Sequence, residues 1–451
     1  MTTAIPSVKP GRKPGLLINR NYSLLFVGQT ISLLGDQIST YTLILWLVDV
    51  IAAGQSWAPL AVSALFAASV VPNLLVGPLA GVFVDRWDHR VTMIRADAIR
   101  AVLWLSLIAF TGVIPLSFLF QGASLQLARF IALCAVTFMS NVCSQFFGPA
   151  TTGVLGQIVP DELWPQASGW NQTMRASATI IGPLLAAPLF FLVGIPWALL
   201  IDALSFAVSL LTIWVIQTPT FPQEQRPRSD LRREFAAGVR FSLGNATVRA
   251  IIVSSFIATF GAGAFDALFV FFLVENLHVS TSLIGLVVAV FGSGMIISAL
   301  LAGKIALWVG LKRLIYLSLF GSGMCMIILS RVTSFVPALV LFFLLGVWPA
   351  ALRVASSPLL LKETPKDMIG RVSAVLGPSS MIASLISTIV AGYLAGVLLS
   401  KLHLRLLGTV FASVDTVFMM VGLLFFVSAL YTFYTLPDQA TRSLEQTVQE
   451  G

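Results

Sequence analysis

The sequence predicts an all-α membrane protein, with twelve transmembrane helices in two pseudo-symmetric six-helix halves. Three observations lead there. The 451 residues are 57% hydrophobic and 10% charged, with a mean hydropathy of +0.93, whereas soluble domains carry about 25% charged residues. Apolar runs of about 20 residues, long enough to cross a bilayer, recur along the whole chain. Finally, motifs of the first half return in the second. Val159-Pro-Asp-Glu before the fifth run is answered by Glu363-Thr-Pro-Lys-Asp before the eleventh, and Gly77–Arg90 by Leu301–Arg313. Parallel half-repeats suit a rocking motion about a central cavity that binds its ligand near the midplane.

Charge, Pro or Gly bounds the runs at 23–50, 58–83, 91–114, 127–150, 165–193, 196–217, 249–274, 281–305, 312–332, 335–361, 371–399 and 410–435. Hydrocarbon offers backbone groups no water, so each run is read as a helix. An even number of crossings puts both termini on one side. With the N-terminus inside, 20 of the 27 Lys and Arg residues fall at that face, which predicts cytoplasmic termini and a multi-pass protein of the plasma (inner) membrane. Residues 1–22 form a polar, basic tail. The run after them is too long for a signal-peptide core, so no cleaved signal is expected. Residues 23–217 and 249–435 make the two bundles, 218–248 the cytoplasmic linker and 436–451 a C-terminal tail. Within the linker, Ser229 or Asp230 can cap a basic amphipathic helix through Arg240 that lies on the membrane surface; a solvated tether is the alternative.

The net charge of +8 is spread over short loops, so it reads as topology rather than a nucleic-acid stripe. Cys134, Cys143 and Cys325 sit singly in apolar runs and imply neither disulfides nor a metal site. The phosphate-loop and nucleophile-elbow patterns are missing, and His89, His278 and His403 lie in or near loops. No catalytic residue, metal or cofactor is expected. Function should then rest on ionisable residues inside the membrane.

Asp36 stands about 20 Å along the first span, beside Gly35, Gln37 and Ser39, as a proton carrier or a helix-packing hydrogen-bond partner. Asp266 has nearly the same place in the seventh span. Arg175 and Arg353 are expected to meet Asp36, Asp266 or an anionic substrate group, or to form structural ion pairs. Trp46 and Phe265 are candidate pocket walls. Gly77 and Gly81 form a small-residue step that admits a close helix. Asp85, Arg86 and Arg90 follow in a tight turn at a membrane surface, with Asp97 and Arg100 grouped beside them in a gate. Asp85 is expected against the start of the eleventh helix near Gly370, where it would stabilise the outward-facing state.

The turn resembles the signature between the second and third helices of the major facilitator superfamily, matching at Gly77, Gly81, Asp85, Arg86 and Arg90. Asp88 stands where that family often has Gly. The stretches SLLGDQIS (32–39), IRADAIRAVL (94–103), FFGPA (146–150), IDALSF (201–206) and IGRVSAV (369–375) resemble its drug:proton antiporter branch of macrolide-efflux and enterobactin-exporter proteins. Gly182 and Pro183 match the core of the antiporter motif, with alanine at three of its glycines. The resemblance implies a monomeric antiporter that exports a drug or other amphipathic molecule against inward proton flow. A siderophore exporter, a lysophospholipid-type flippase, an uptake carrier and a transport-dead sensor or scaffold are the alternatives.

Overall fold

Asn19 starts the first helix twice over. Its side chain accepts from the Tyr22 N–H at 2.8 Å and donates to the Ile158 carbonyl at 2.6 Å, so the cap of one helix is tied to the end of another. The computed structural model describes residues 18–113, 122–217, 231–365, 368–399, 404–406, 409–411 and 413–436. Residues 1–17 of the expected N-terminal tail, most of the C-terminal tail, Ser229 and Asp230 lie outside them.

The helices are α1 (Arg20–Trp46), α2 (Ala58–Leu75), α3 (Gly77–Val84), α4 (His89–Ile108), α5 (Ala123–Ile158), α6 (Trp164–Pro188) and α7 (Ile195–Val215). They continue with α8 (Leu231–Gly244), α9 (Ala246–Phe271), α10 (Ile284–Val309), α11 (Leu311–Leu329), α12 (Phe335–Glu363), α13 (Ile369–Tyr393) and α14 (Ser413–Thr435). In the first half α1 packs on α6 and α7, and α4 on α5 and α7; in the second α9 packs on α13 and α14, and α10 on α12. The repeat also shows in the helix ends. α1, α6, α9 and α13 each finish in a five-residue π-type turn, at first and fifth positions of the two halves. Large apolar residues line the outside, Leu192 at 83% exposure and Trp308 at 89%. Such a surface is at home against lipid, not water.

Among the described residues, eleven helices are long and apolar enough to cross a membrane. The expected third span, α4, is not in that set because Arg95, Asp97 and Arg100 lie in it. Asp97 and Arg100 are instead buried between helices. The second span is broken at Val76: Pro78 has no N–H for the Leu74 carbonyl, and the hydrogen-bond ladder restarts at the Val76 carbonyl, which accepts from Leu79 and Ala80 at 3.0 and 2.8 Å. The last span starts at Ser413 rather than 410, since Thr409–Phe411 pairs antiparallel with Leu404–Leu406. α8 confirms a helix in the linker. It packs on α13 and α9, with Gly238 so close to the Arg371 carbonyl that a Cβ would stand 2.4 Å from it. Part of this helix is therefore covered by protein.

The two halves meet at one end of the bundle, where α2 packs on α13 and α6 on α10. A Cβ on Gly392 would lie 1.9 Å from Ser63 Oγ and 2.9 Å from the Pro59 carbonyl, so only glycine allows α13 this close to α2. Thr281 Oγ1, before α10, donates to Asp49 Oδ2 beyond α1 at 3.0 Å. At the opposite end, Gly81 and Gly370 face open space.

Candidate functional site

Polar residues inside the bundle gather in two places. The first is a charge cluster where α1, α4 and α7 meet. Arg100 on α4 donates from one terminal nitrogen to both Asp36 oxygens, at 2.7 and 2.9 Å. Its other terminal nitrogen stands 3.6 Å from Asp97 Oδ1. The guanidinium carbon lies 3.9 Å over the Phe206 ring, a cation–π contact that offsets part of its desolvation. Asp202 is within electrostatic reach of both Arg100 and Asp36, and its Oδ1 takes the Ser205 hydroxyl at 3.3 Å. Gly35 makes this meeting possible: a Cβ there would sit 2.6 Å from Asp202 Oδ1.

Asp97 and Asp202 are buried at 0% and 1% exposure. Both oxygens of Asp97, and one of Asp202, lack hydrogen-bond partners among the described residues. Three carboxyls therefore share one guanidinium. Asp36 and Arg100 line a cavity of about 320 Å³ between α1, α2, α4 and α5, with Gln37, Ser140, Asn141 and Trp104.

The second place is a cavity of about 660 Å³ walled by the second half and by Val70 and Asn73 of α2. Asp266 on α9 and Arg353 on α12 both open into it and form no ion pair with each other. Phe265 joins it, stacked on Phe291 at 6.1 Å between centroids. α1 and α2 connect the two places. Tyr41 of α1 is within electrostatic reach of Asp266. On α2, Phe66 and Ser69 line the smaller cavity, while Val70 and Asn73 line the larger.

Three expectations need correction. Arg100 and Asp97, grouped by sequence with the surface turn, belong with Asp36 deep in the bundle. Arg175 is exposed on α6, lines neither cavity and pairs with no acid among the described residues. Trp46 is 1% exposed within the apolar core and lines neither cavity. Asp85 is exposed; its expected contact with the start of α13 belongs to the outward-facing state. Of the remaining gate residues, Arg86 is exposed and Gly77 faces Gln145. Arg90 donates to the carbonyls of Ile213 and Trp214, closing the end of α7 rather than bridging the halves. Gly182 admits Gln37 of α1, and the Pro183 carbonyl abuts Gly285 of α10, so this pair sits where the halves meet. Sequence reasoning missed Ser140, Asn141, Asn73 and Ser356 as cavity residues. Single hydroxyl and amide side chains in apolar helices carry no spacing signal of their own.

The family model described as transmembrane secretion effector matches residues 16–430. The chain belongs to this family. It is thus a transporter-type protein of the major facilitator superfamily, and its relatives agree. The MFS-type transporter YkuC of Bacillus subtilis is 24% identical over 96% of both chains. Macrolide efflux protein A of Streptococcus pyogenes is 23% identical over 82% of this chain and 88% of its own. A crystal structure of a bacterial homologue of the iron transporter ferroportin, in its inward-facing state, superposes with a TM-score of 0.71 at 16% identity, covering 92% of this chain and 98% of that one. That likeness shows the fold.

Proposed function

We propose that the protein is a proton-coupled exporter of amphipathic small molecules that works by alternating access. It is read here as a twelve-span protein of the plasma (inner) membrane, α4 being the charged third span. The end bearing residues 85–89 then faces the cytoplasm, and the conformation described is open to that side.

The observation that carries the reading is the sharing of one guanidinium by Asp36, Asp97 and Asp202. In low dielectric this cluster is short of positive charge, and a proton is the smallest species that restores the balance. A proton on Asp36 would cancel its attraction for Arg100 and let the guanidinium settle on Asp97, 3.6 Å away. Loss of that proton would draw Arg100 back. Because α1 also carries Tyr41 towards Asp266, a change at Asp36 can be felt in the larger cavity, where the cargo would bind. The efflux relatives support the outward direction.

The test is transport by purified protein in proteoliposomes under an imposed pH gradient, with macrolide, dye and catecholate probes. Gradient-driven flux lost in Asp36→Asn, with the variant still folded and inserted, is the expected result. Full pH-driven flux in that variant would remove Asp36 from the mechanism, and flux indifferent to pH would favour a facilitator or lipid carrier.

A further inference from the structure

The larger cavity keeps its two charges apart. Along α9 its lining runs from Ile251 to Asp266, and along the antiparallel α12 from Leu360 to Leu345. The two stretches are equally long, so Asp266 is level with Leu345 at the deep end, and Ile251 with Leu360 at the mouth. Arg353 stands eight residues of α12 short of Leu345, about 12 Å at 1.5 Å per residue. Each charge also has a suitable neighbourhood. Phe265, stacked between Phe291 and Phe418, builds an aromatic wall next to Asp266. Ser356 lies one turn from Arg353, and its hydroxyl is buried without a hydrogen-bond partner among the described residues. An unpaired acid and an unpaired guanidinium facing one chamber are costly to keep unless something pairs with both.

We propose that this cavity takes a zwitterionic amphiphile lengthwise, its cationic group deep at Asp266 and its anionic group at Arg353 and Ser356, nearer the mouth. The apolar body would span the wall between them. The proposal rests on the reading of the cavity as the cargo chamber, and it narrows that cargo to molecules charged at both ends.

Binding to the full chain in lipid nanodiscs, corrected with empty discs, tests it. The probes are ω-aminodecanoate, decylamine, decanoate and the shorter ω-aminohexanoate. Aminodecanoate should bind about tenfold tighter than either single-charge analogue, and aminohexanoate, too short to reach both ends, should lose that gain. Asp266→Asn should weaken aminodecanoate and decylamine but not decanoate. Arg353→Gln should weaken aminodecanoate and decanoate but not decylamine, with Arg353→Lys restoring part of the loss. The charge-specific split keeps the test clear of a merely misfolded variant, which would bind every probe worse. Equal binding of aminodecanoate and either analogue, binding of no probe, or a uniform loss in both variants would overturn the two-ended site. None of these outcomes touches the exporter reading, which pH-driven flux decides separately.

Discussion

Replacing Arg100 with methionine keeps the apolar stem and removes the guanidinium that holds the charge cluster together. The side chain is buried, bound to Asp36 at 2.7 and 2.9 Å, 3.6 Å from Asp97 and stacked on Phe206. Breaking a buried pair from one side costs about 3–5 kcal/mol, because the partner stays behind uncompensated. Here two partners stay behind, but unequally. Asp36 has a side chain 33% exposed to its cavity, where solvent takes over part of the charge. Asp97, at 0% exposure and without hydrogen bonds to either oxygen, has no such relief and dominates the loss. The expected destabilisation is about 3–4 kcal/mol, read from unfolding of the full chain in mixed micelles by titrated SDS. Adding Asp97→Asn to Arg100→Met removes the stranded charge, so the double variant should regain about 2 kcal/mol. If Arg100→Met unfolds within about 1 kcal/mol of wild type, as a solvated surface pair would, the cluster is not what the geometry says. An Asp97→Asn that adds to the loss instead of relieving it would refute the reasoning as surely.

Further perturbations probe the closed end and the gate turn. In Gly392→Val the new side chain meets Ser63 and Pro59, since even a Cβ falls 1.9 Å from Ser63 Oγ. It should force α13 off α2 and raise labelling of a cysteine at Ala58, buried at the start of α2, by an impermeant maleimide severalfold; unchanged labelling would show that this contact does not hold the end shut. Thr281→Ala deletes the 3.0 Å hydrogen bond to Asp49, worth about 1 kcal/mol, so the same label should react roughly fivefold faster. Arg90→Ala frees the carbonyls of Ile213 and Trp214 and should cost about 2 kcal/mol in SDS unfolding while leaving the concentration dependence of transport unaltered. A changed apparent substrate affinity there would place Arg90 in the transport cycle instead.

How much of this could be read from the chain differs between spans and sites, for a physical reason. A span is announced by the hydrocarbon itself: no alternative satisfies 20 consecutive backbone groups without water, so the run at 335–361 and the helix Phe335–Glu363 nearly coincide. Where that constraint lapses, legibility lapses too. Thr409-Val-Phe is as apolar as the helix after it, yet it forms a strand outside the helical span, and an apolar run that short fits either state. The site needed a different quantity, the rotational phase of each helix about its axis. Depth along the membrane follows from counting residues, which puts Asp36 and Asp266 at matching heights. Phase depends on which neighbour packs where, and that is written in pairs distant in sequence. Arg100 reaches Asp36 across 64 residues because Gly35 lets α1 approach α7, bringing Asp36 within electrostatic reach of Asp202. In the sequence Arg100 follows the charged turn by half of one helix, and nothing local separates it from that turn. Arg175 failed in the opposite sense. Its height marked it as needing a partner, yet its phase turns it away from both acids. An intramembrane charge thus announces that its environment must be unusual, but the packing of the helices decides whether that environment is an ion pair, a cavity or an exposed face.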